Sequence, residues 1–219
     1  MKTLKNDVIG ALQQSQIQGW KNDQDEVVTF FERFNLDVRK QYRYLTTIEY
    51  DRMQVVCYLL AKIRRAIKIC DFLDTLEKDN YEDVDMVKLY LLISHAEITT
   101  RSLEQKGKDQ ELVEKFFSPV ESELKYKIMP SLSTRVANKN VSFAYILYKL
   151  RCEYTHEGNF TGKIFKKISH GSATLLFPFK VNTETLYGEC ELTYKEFLDI
   201  YMKALMKHVD TYSGLKAFK

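Results

Sequence analysis

Val55-Val56-Cys57-Tyr58-Leu59-Leu60-Ala61-Lys62-Ile63-Arg64-Arg65-Ala66-Ile67-Lys68-Ile69-Cys70-Asp71-Phe72-Leu73 is the stretch on which the fold class turns. Val56, Leu59, Ile63, Ile67, Cys70 and Leu73 recur every three or four positions, the interval at which side chains share one face of an α-helix. Lys62, Arg64, Arg65 and Lys68 fall mostly on the side left to water. The fully apolar run, Val55 to Ala61, is far short of the roughly 20 residues that a membrane helix needs. A long central helix is expected here, and no membrane association.

The same period extends in both directions. Towards the N-terminus, Val27, Phe31, Phe34, Val38, Tyr42 and Leu45 predict one helix from Asp25 to about Thr46. Beyond an acidic turn from Lys78 to Asp83, which lacks calcium-loop spacing, a helix from about Val84 to Leu103 carries Val87, Leu91, His95 and Ile98 on one side. A short helix follows at about Gln110 to Phe117. Ser118-Pro119-Val120-Glu121 then has an N-cap serine, a first-turn proline and a capping-box glutamate, so a helix restarts there and runs to Pro130. Ser131 to Asn140 reads as a loop. Phe143, Ile146, Leu147 and Leu150 form the apolar face of the next helix, which Gly158 and Gly162 stop. Composition changes from Ile164 to Leu192, where Ala173 to Phe179 and Glu184 to Gly188 look like short strands. A second capping box, Thr193-Tyr194-Lys195-Glu196, opens a last helix with Phe197, Ile200, Ala204 and Leu205 inward. The expected architecture is mainly α: one domain over 1–219, an up-and-down helical bundle with a small β-hairpin insertion at 163–192 before the last helix.

Composition agrees with this. Eight Gly and three Pro among 219 residues are too few turns for a sandwich or barrel. The 33 basic and 30 acidic residues leave a net charge of +3, so any surface that attracts nucleic acid must be local. Cys57, Cys70, Cys152 and Cys190 are scattered without a CxxC pair, which indicates neither a disulfide framework nor a structural zinc site. The lysines near the start are interrupted by Asn6 and Asp7, and no signal-peptide core follows. A cytoplasmic protein is expected. His95, His170 and His208 stand apart from carboxylate or cysteine pairs, and no glycine-rich phosphate loop is present. No metal site and no cofactor are expected.

Leu147-Tyr148-Lys149-Leu150-Arg151-Cys152-Glu153-Tyr154-Thr155-His156-Glu157-Gly158 carries the chemistry. An amphipathic helix, an arginine, a histidine five positions later and a glycine after it resemble the Arg-x4-6-His signature of HEPN-type ribonucleases. The likeness covers about Phe143 to Gly158; the rest of the chain agrees only as an α-bundle, and the resemblance implies that the bundle is of HEPN type. The resemblance implies a metal-independent endoribonuclease with Arg151 and His156 as catalytic residues, acting on single-stranded RNA at the seam of a homodimer. It also implies a toxin-antitoxin or anti-phage defence setting, with a cognate antitoxin or defence-system partner. In the family a polar Asn, Asp or His commonly follows the arginine; here Cys152 does.

The two residue types suit that reaction. Cleaving RNA without a metal requires a base for the ribose 2′-hydroxyl and a cation for the charge developing on the phosphate. Histidine titrates near neutrality, and the arginine fork stays charged and can bind two phosphate oxygens. Five helical steps rotate by about 140°, so an ideal helix directs Arg151 and His156 to different sides. Either the helix unwinds near Thr155 or the working site combines two subunits. Arg151, four residues after Leu147 and eight after Phe143, belongs at the border of the buried stripe, where an unpaired charge is costly. The structural alternative is a helix-end pair, with the arginine on a carboxylate and the histidine capping the last carbonyls.

Lys163, Lys166 and Lys167, with His170, follow the motif closely and would guide an RNA backbone by phosphate contacts. On an exposed hairpin edge the same lysines would instead block strand-to-strand aggregation. Arg39 to Tyr44 mixes cations with aromatics, but its tyrosines fit the helical stripe. His95, between Leu91-Leu92 and Ile98, has the setting of a core histidine satisfied by a hydrogen bond, as does His208. Two rivals remain: a catalytically silent HEPN-like dimerisation or binding module, and a helical RNA-binding protein without catalysis.

Overall fold

A computed structural model describes residues 2–47, 53–78, 84–104, 106–137, 141–156, 163–166, 174–181 and 183–213. Most of them are helical, with one small antiparallel sheet. Gly158, Gly162, Lys167, His170, Asp79 to Asp83 and the start of the expected first strand at Ala173 lie outside the described residues. The chain divides into two compact units, 1–68 with 205–219, and 69–204. Among the described residues no helix is long and apolar enough to cross a membrane.

The first unit holds α1 (Lys2–Asn22), α2 (Gln24–Glu32), α3 (Arg39–Leu45), α4 (Met53–Lys78) as far as Lys68, and α10 (Tyr194–Ser213) from Leu205. The single helix expected over Asp25 to Thr46 is two. Asn35 adopts a φ of 55°, its N–H bonds the Glu32 carbonyl at 3.0 Å, and the Leu36 N–H bonds the Phe31 carbonyl at 3.2 Å. That pair of contacts is a Schellman ending, which asparagine tolerates because it enters the left-handed region more readily than most residues. The predicted side chains are still buried, Val27 and Phe31 from α2, Phe34 and Val38 from the connection, and Tyr42 and Leu45 from α3. The Tyr42 hydroxyl donates to the Trp20 carbonyl at 2.9 Å, and Arg64 pairs with Asp23 at 2.8 Å.

The second unit is built on α5 (Val84–Glu104), against which α6 (Asp109–Phe117) and α9 (Phe143–His156) pack. The face predicted for α5 is displaced. Ile98 is 51% exposed and Val87 and Leu91 are half-buried, whereas Met86, Leu89, Leu92, Ile93 and Ala96 are fully covered. A helix covered over most of its circumference gives a weak amphipathic signal, so periodicity alone selected the wrong stripe. Rings of Tyr194, Phe165, Phe197, Phe117, Phe116 and Tyr201 follow one another at centroid distances of 5.0–6.2 Å and form the aromatic centre of this unit.

The helix expected from Ser118 to Pro130 does not form. Ser118–Val120 is a 3-10 turn and α7 (Glu121–Leu124) one turn of helix, after which Ile128–Pro130 is strand β1. Residues Ser131 to Asn140, read as a loop, contain helix α8 (Leu132–Ala137). Strands β2 (Leu175–Val181) and β3 (Glu184–Cys190) form the predicted hairpin, with Leu175 opposite Cys190 and Val181 opposite Glu184. β1 joins β3 on the other side, giving the order β1-β3-β2, so the sheet draws on residues before the motif helix as well as after it. Pro130 and Pro178 both lie on the outer strands, where a missing N–H is tolerated. Phe177, Phe179, Leu186 and Cys190 face inward, and α9 packs against β2 and β1.

Candidate active site around Arg151

Helix α9 buries Phe143, Ala144, Ile146, Leu147 and Leu150, the stripe read from the sequence. It continues unbroken to His156, its last residue, and the Thr155 hydroxyl bonds the Arg151 carbonyl at 2.9 Å. Unwinding near Thr155 is therefore overturned.

Arg151 lies at the stripe's border, its side chain 20% exposed, and is directed at α5. Its Nη2 is 3.1 Å from Glu97 Oε2, and Nε donates to Ser94 Oγ at 3.4 Å. The other Glu97 oxygen pairs with Arg101 Nη2 at 3.2 Å, and Arg101 also reaches Asp109 at the start of α6. One carboxylate, only 8% exposed, thus bridges two guanidinium groups. The hydrogen bonds to Glu97 and Asp109 hold Arg101 above the already high arginine range. Two cations and two anions balance, which lets the cluster stay partly dry at modest cost.

One turn before Arg151 on α9, the Tyr148 hydroxyl is hydrogen-bonded to Cys152, and this bond together with burial pushes its pKa up to about 12. The Cys152 sulfur lies 4.0 Å from Arg151 Nη1. Cys152 is thus occupied between a phenol and a guanidinium. Glu153 accepts the Lys180 N–H of β2, and the Tyr154 ring lies 5.1 Å from that of Tyr90 on α5.

The structure brings Arg151 to a carboxylate, as the structural alternative expected. His156 is placed on the helix's final turn, five residues from Arg151. Lys163 is exposed and Lys166 half-buried; neither lies on a hairpin strand, so an edge-guarding role for these two is overturned. Lys166 instead forms an isolated parallel bridge with Thr193. His95 is 4% exposed with Nδ1 against the Tyr201 hydroxyl. His208 is 5% exposed and stacked on Tyr212. No three His, Cys, Asp or Glu side chains converge as a metal site among the described residues.

Ser94, Glu97, Arg101 and Asp109 did not stand out in the sequence. Glu97 and Arg101 carry a local signal, being opposite charges four apart on a helix. Nothing in the spacing links them to Arg151, some fifty residues on. No protein-family model matches the chain, and no curated protein and no solved structure matches it.

Proposed function

We propose that this chain is a metal-independent endoribonuclease of the HEPN type, with Arg151 as phosphate clamp and His156 as base. One observation carries the reading: the Arg151 guanidinium is held against α5 by Ser94 and Glu97 yet keeps a fifth of its side chain open, one helical turn and a half before His156. An arginine positioned in this way loses little freedom when a phosphate arrives, and charge-assisted contacts to a phosphodiester are strongest where water is partly excluded. Because α9 is continuous, the two positions lie about 140° apart around the helix. The reading therefore requires two copies, Arg151 of one facing His156 of the other across a two-fold axis. Single-stranded RNA is the substrate class, Lys163, Lys166 and Lys167 contact its backbone, and a toxin or anti-phage setting with a cognate partner follows from the HEPN likeness.

A second reading is favoured by Glu97, which neutralises Arg151. In it the pair is a strut between α5 and α9, and the domain is a silent module for dimerisation or for binding RNA or protein. Purified protein incubated with single-stranded RNA in EDTA separates the two. The ribonuclease reading expects cleavage that Arg151→Ala and His156→Ala abolish while both variants remain folded. Equal cleavage by all three, or none by wild type, rejects it.

A further inference from the structure

A cavity of about 430 Å³ opens in the second unit between the chain from Ser122 to Lys127 and the first turns of α10. Lys127 is fixed at its edge because its N–H bonds the Leu124 carbonyl at 2.9 Å and its own carbonyl accepts the Glu191 N–H at 2.8 Å, tying the end of α7 to the chain that leaves β3. On the other wall Glu196, Asp199 and Lys203 recur at intervals of three and four along α10, so one side of that helix presents all three. Leu192 and Ile200, both buried, and the exposed Tyr126 supply the apolar part of the lining.

Most charges of this cavity are already committed. Lys203 pairs with Glu123 at 2.9 Å, and Glu196 accepts both the N–H and the hydroxyl of Thr193. Two groups of opposite sign are left. Asp199 is half-buried, no donor among the described residues bonds its covered Oδ1, and burial holds its pKa above the ordinary value against the pull of Lys195 and Lys203. Lys127 is exposed and forms no ion pair among the described residues; its charge adds to the Thr193 backbone bond that holds Glu196 below its ordinary pKa. A carboxylate short of donors gains when a charged donor binds beside it, and a concave, partly apolar site with a few uncommitted polar groups is the usual form of a small-molecule pocket. We propose that this cavity binds a small zwitterion with an apolar body, an aromatic or branched α-amino acid, its ammonium meeting Asp199, its carboxylate Lys127 and its side chain Tyr126 and Ile200. The site shares no residue with the Arg151 cluster and does not rest on the ribonuclease reading.

The test titrates the full chain by calorimetry with three probes: L-phenylalanine, phenethylamine, which lacks the carboxylate, and 3-phenylpropionate, which lacks the ammonium. Phenylalanine should bind saturably at one site, about tenfold or more tighter than either truncated probe. Asp199→Asn, which keeps the shape and removes the charge, should weaken phenylalanine and phenethylamine about tenfold and leave phenylpropionate within about twofold. Lys127→Gln should do the converse, weakening phenylalanine and phenylpropionate and sparing phenethylamine. Urea unfolding of each variant shows whether it is folded, and if Asp199→Asn is not, the exposed Lys127 and the comparison of probes on wild type still decide. No saturable binding of phenylalanine overturns the inference. So does binding that neither variant changes, which places the ligand elsewhere, and so does phenethylamine binding as tightly as phenylalanine, which leaves no role for Lys127.

Discussion

Glu97 is the residue on which the site's electrostatics depend. It touches Arg101 and Arg151 at once, and the second of these pairings comes from α5 and α9 being neighbours. Glu97→Gln keeps the shape and removes the charge, leaving two guanidinium groups facing one neutral amide. The expected loss of stability is about 1–3 kcal/mol, the range for leaving a covered polar group poorly satisfied, and urea unfolding measures it. No change would mean that water already serves both arginines. Arg151 itself was legible as a border residue because its distance from Leu147 and Phe143 follows from helical phase. Its carboxylate was not, for a pairing between helices leaves no spacing in the chain. The same holds for His95, whose setting identified a satisfied core histidine but whose partner Tyr201 lies 106 positions away.

Two identical-looking local signals behaved differently as elements. At Thr193 the capping box forms as read: the Glu196 carboxylate accepts the Thr193 N–H at 2.7 Å and the Glu196 N–H bonds Thr193 Oγ1 at 3.2 Å. At Ser118 the hydroxyl turns back to the Lys115 carbonyl at 2.9 Å, finishing α6 instead of starting a helix. Thr193→Ala should cost about 1 kcal/mol. The Thr193 backbone N–H holds the Glu196 carboxyl below its ordinary value. A depressed carboxylate stabilises above its unfolded pKa and loses that contribution as pH falls through the folded one. The stability gap between wild type and Glu196→Gln should therefore be constant near neutrality and close as pH drops below about 4.3, the ordinary glutamate value. A gap that widens in acid contradicts the box. In the sheet, Gly188 lies opposite Phe177, and a methyl group there would overlap the buried Phe177 ring. Gly188→Ala should destabilise by about 1–3 kcal/mol through overpacking, seen as a lower urea midpoint with unchanged slope.

At the scale of the whole molecule, the continuous α9 makes a lone chain an incomplete enzyme under the ribonuclease reading. Mixing inactive Arg151→Ala with inactive His156→Ala should restore activity, because a heterodimer retains one seam with both wild-type residues. Equal mixing gives half heterodimers with one site of two intact, about a quarter of wild-type activity. Recovery should grow with the time allowed for subunit exchange, and none after full exchange rejects a shared site. Much of this architecture was open to a reader of the chain alone. The 3.6-residue period located α4, α5, α9 and α10, and alternation located the β2–β3 hairpin, since these patterns reflect which side of each element meets water. The break at Asn35 is also local, though the apolar stripe on either side concealed it. Tertiary structure alone decided that Ile128 to Pro130 would be a strand, because three residues have no stable extended form until β3 supplies their partners. It alone decided which face of α5 is buried, and that Glu97 would hold the motif helix. Helical phase is written residue by residue into the chain; contacts across fifty or more positions exist only once packing has brought the elements together.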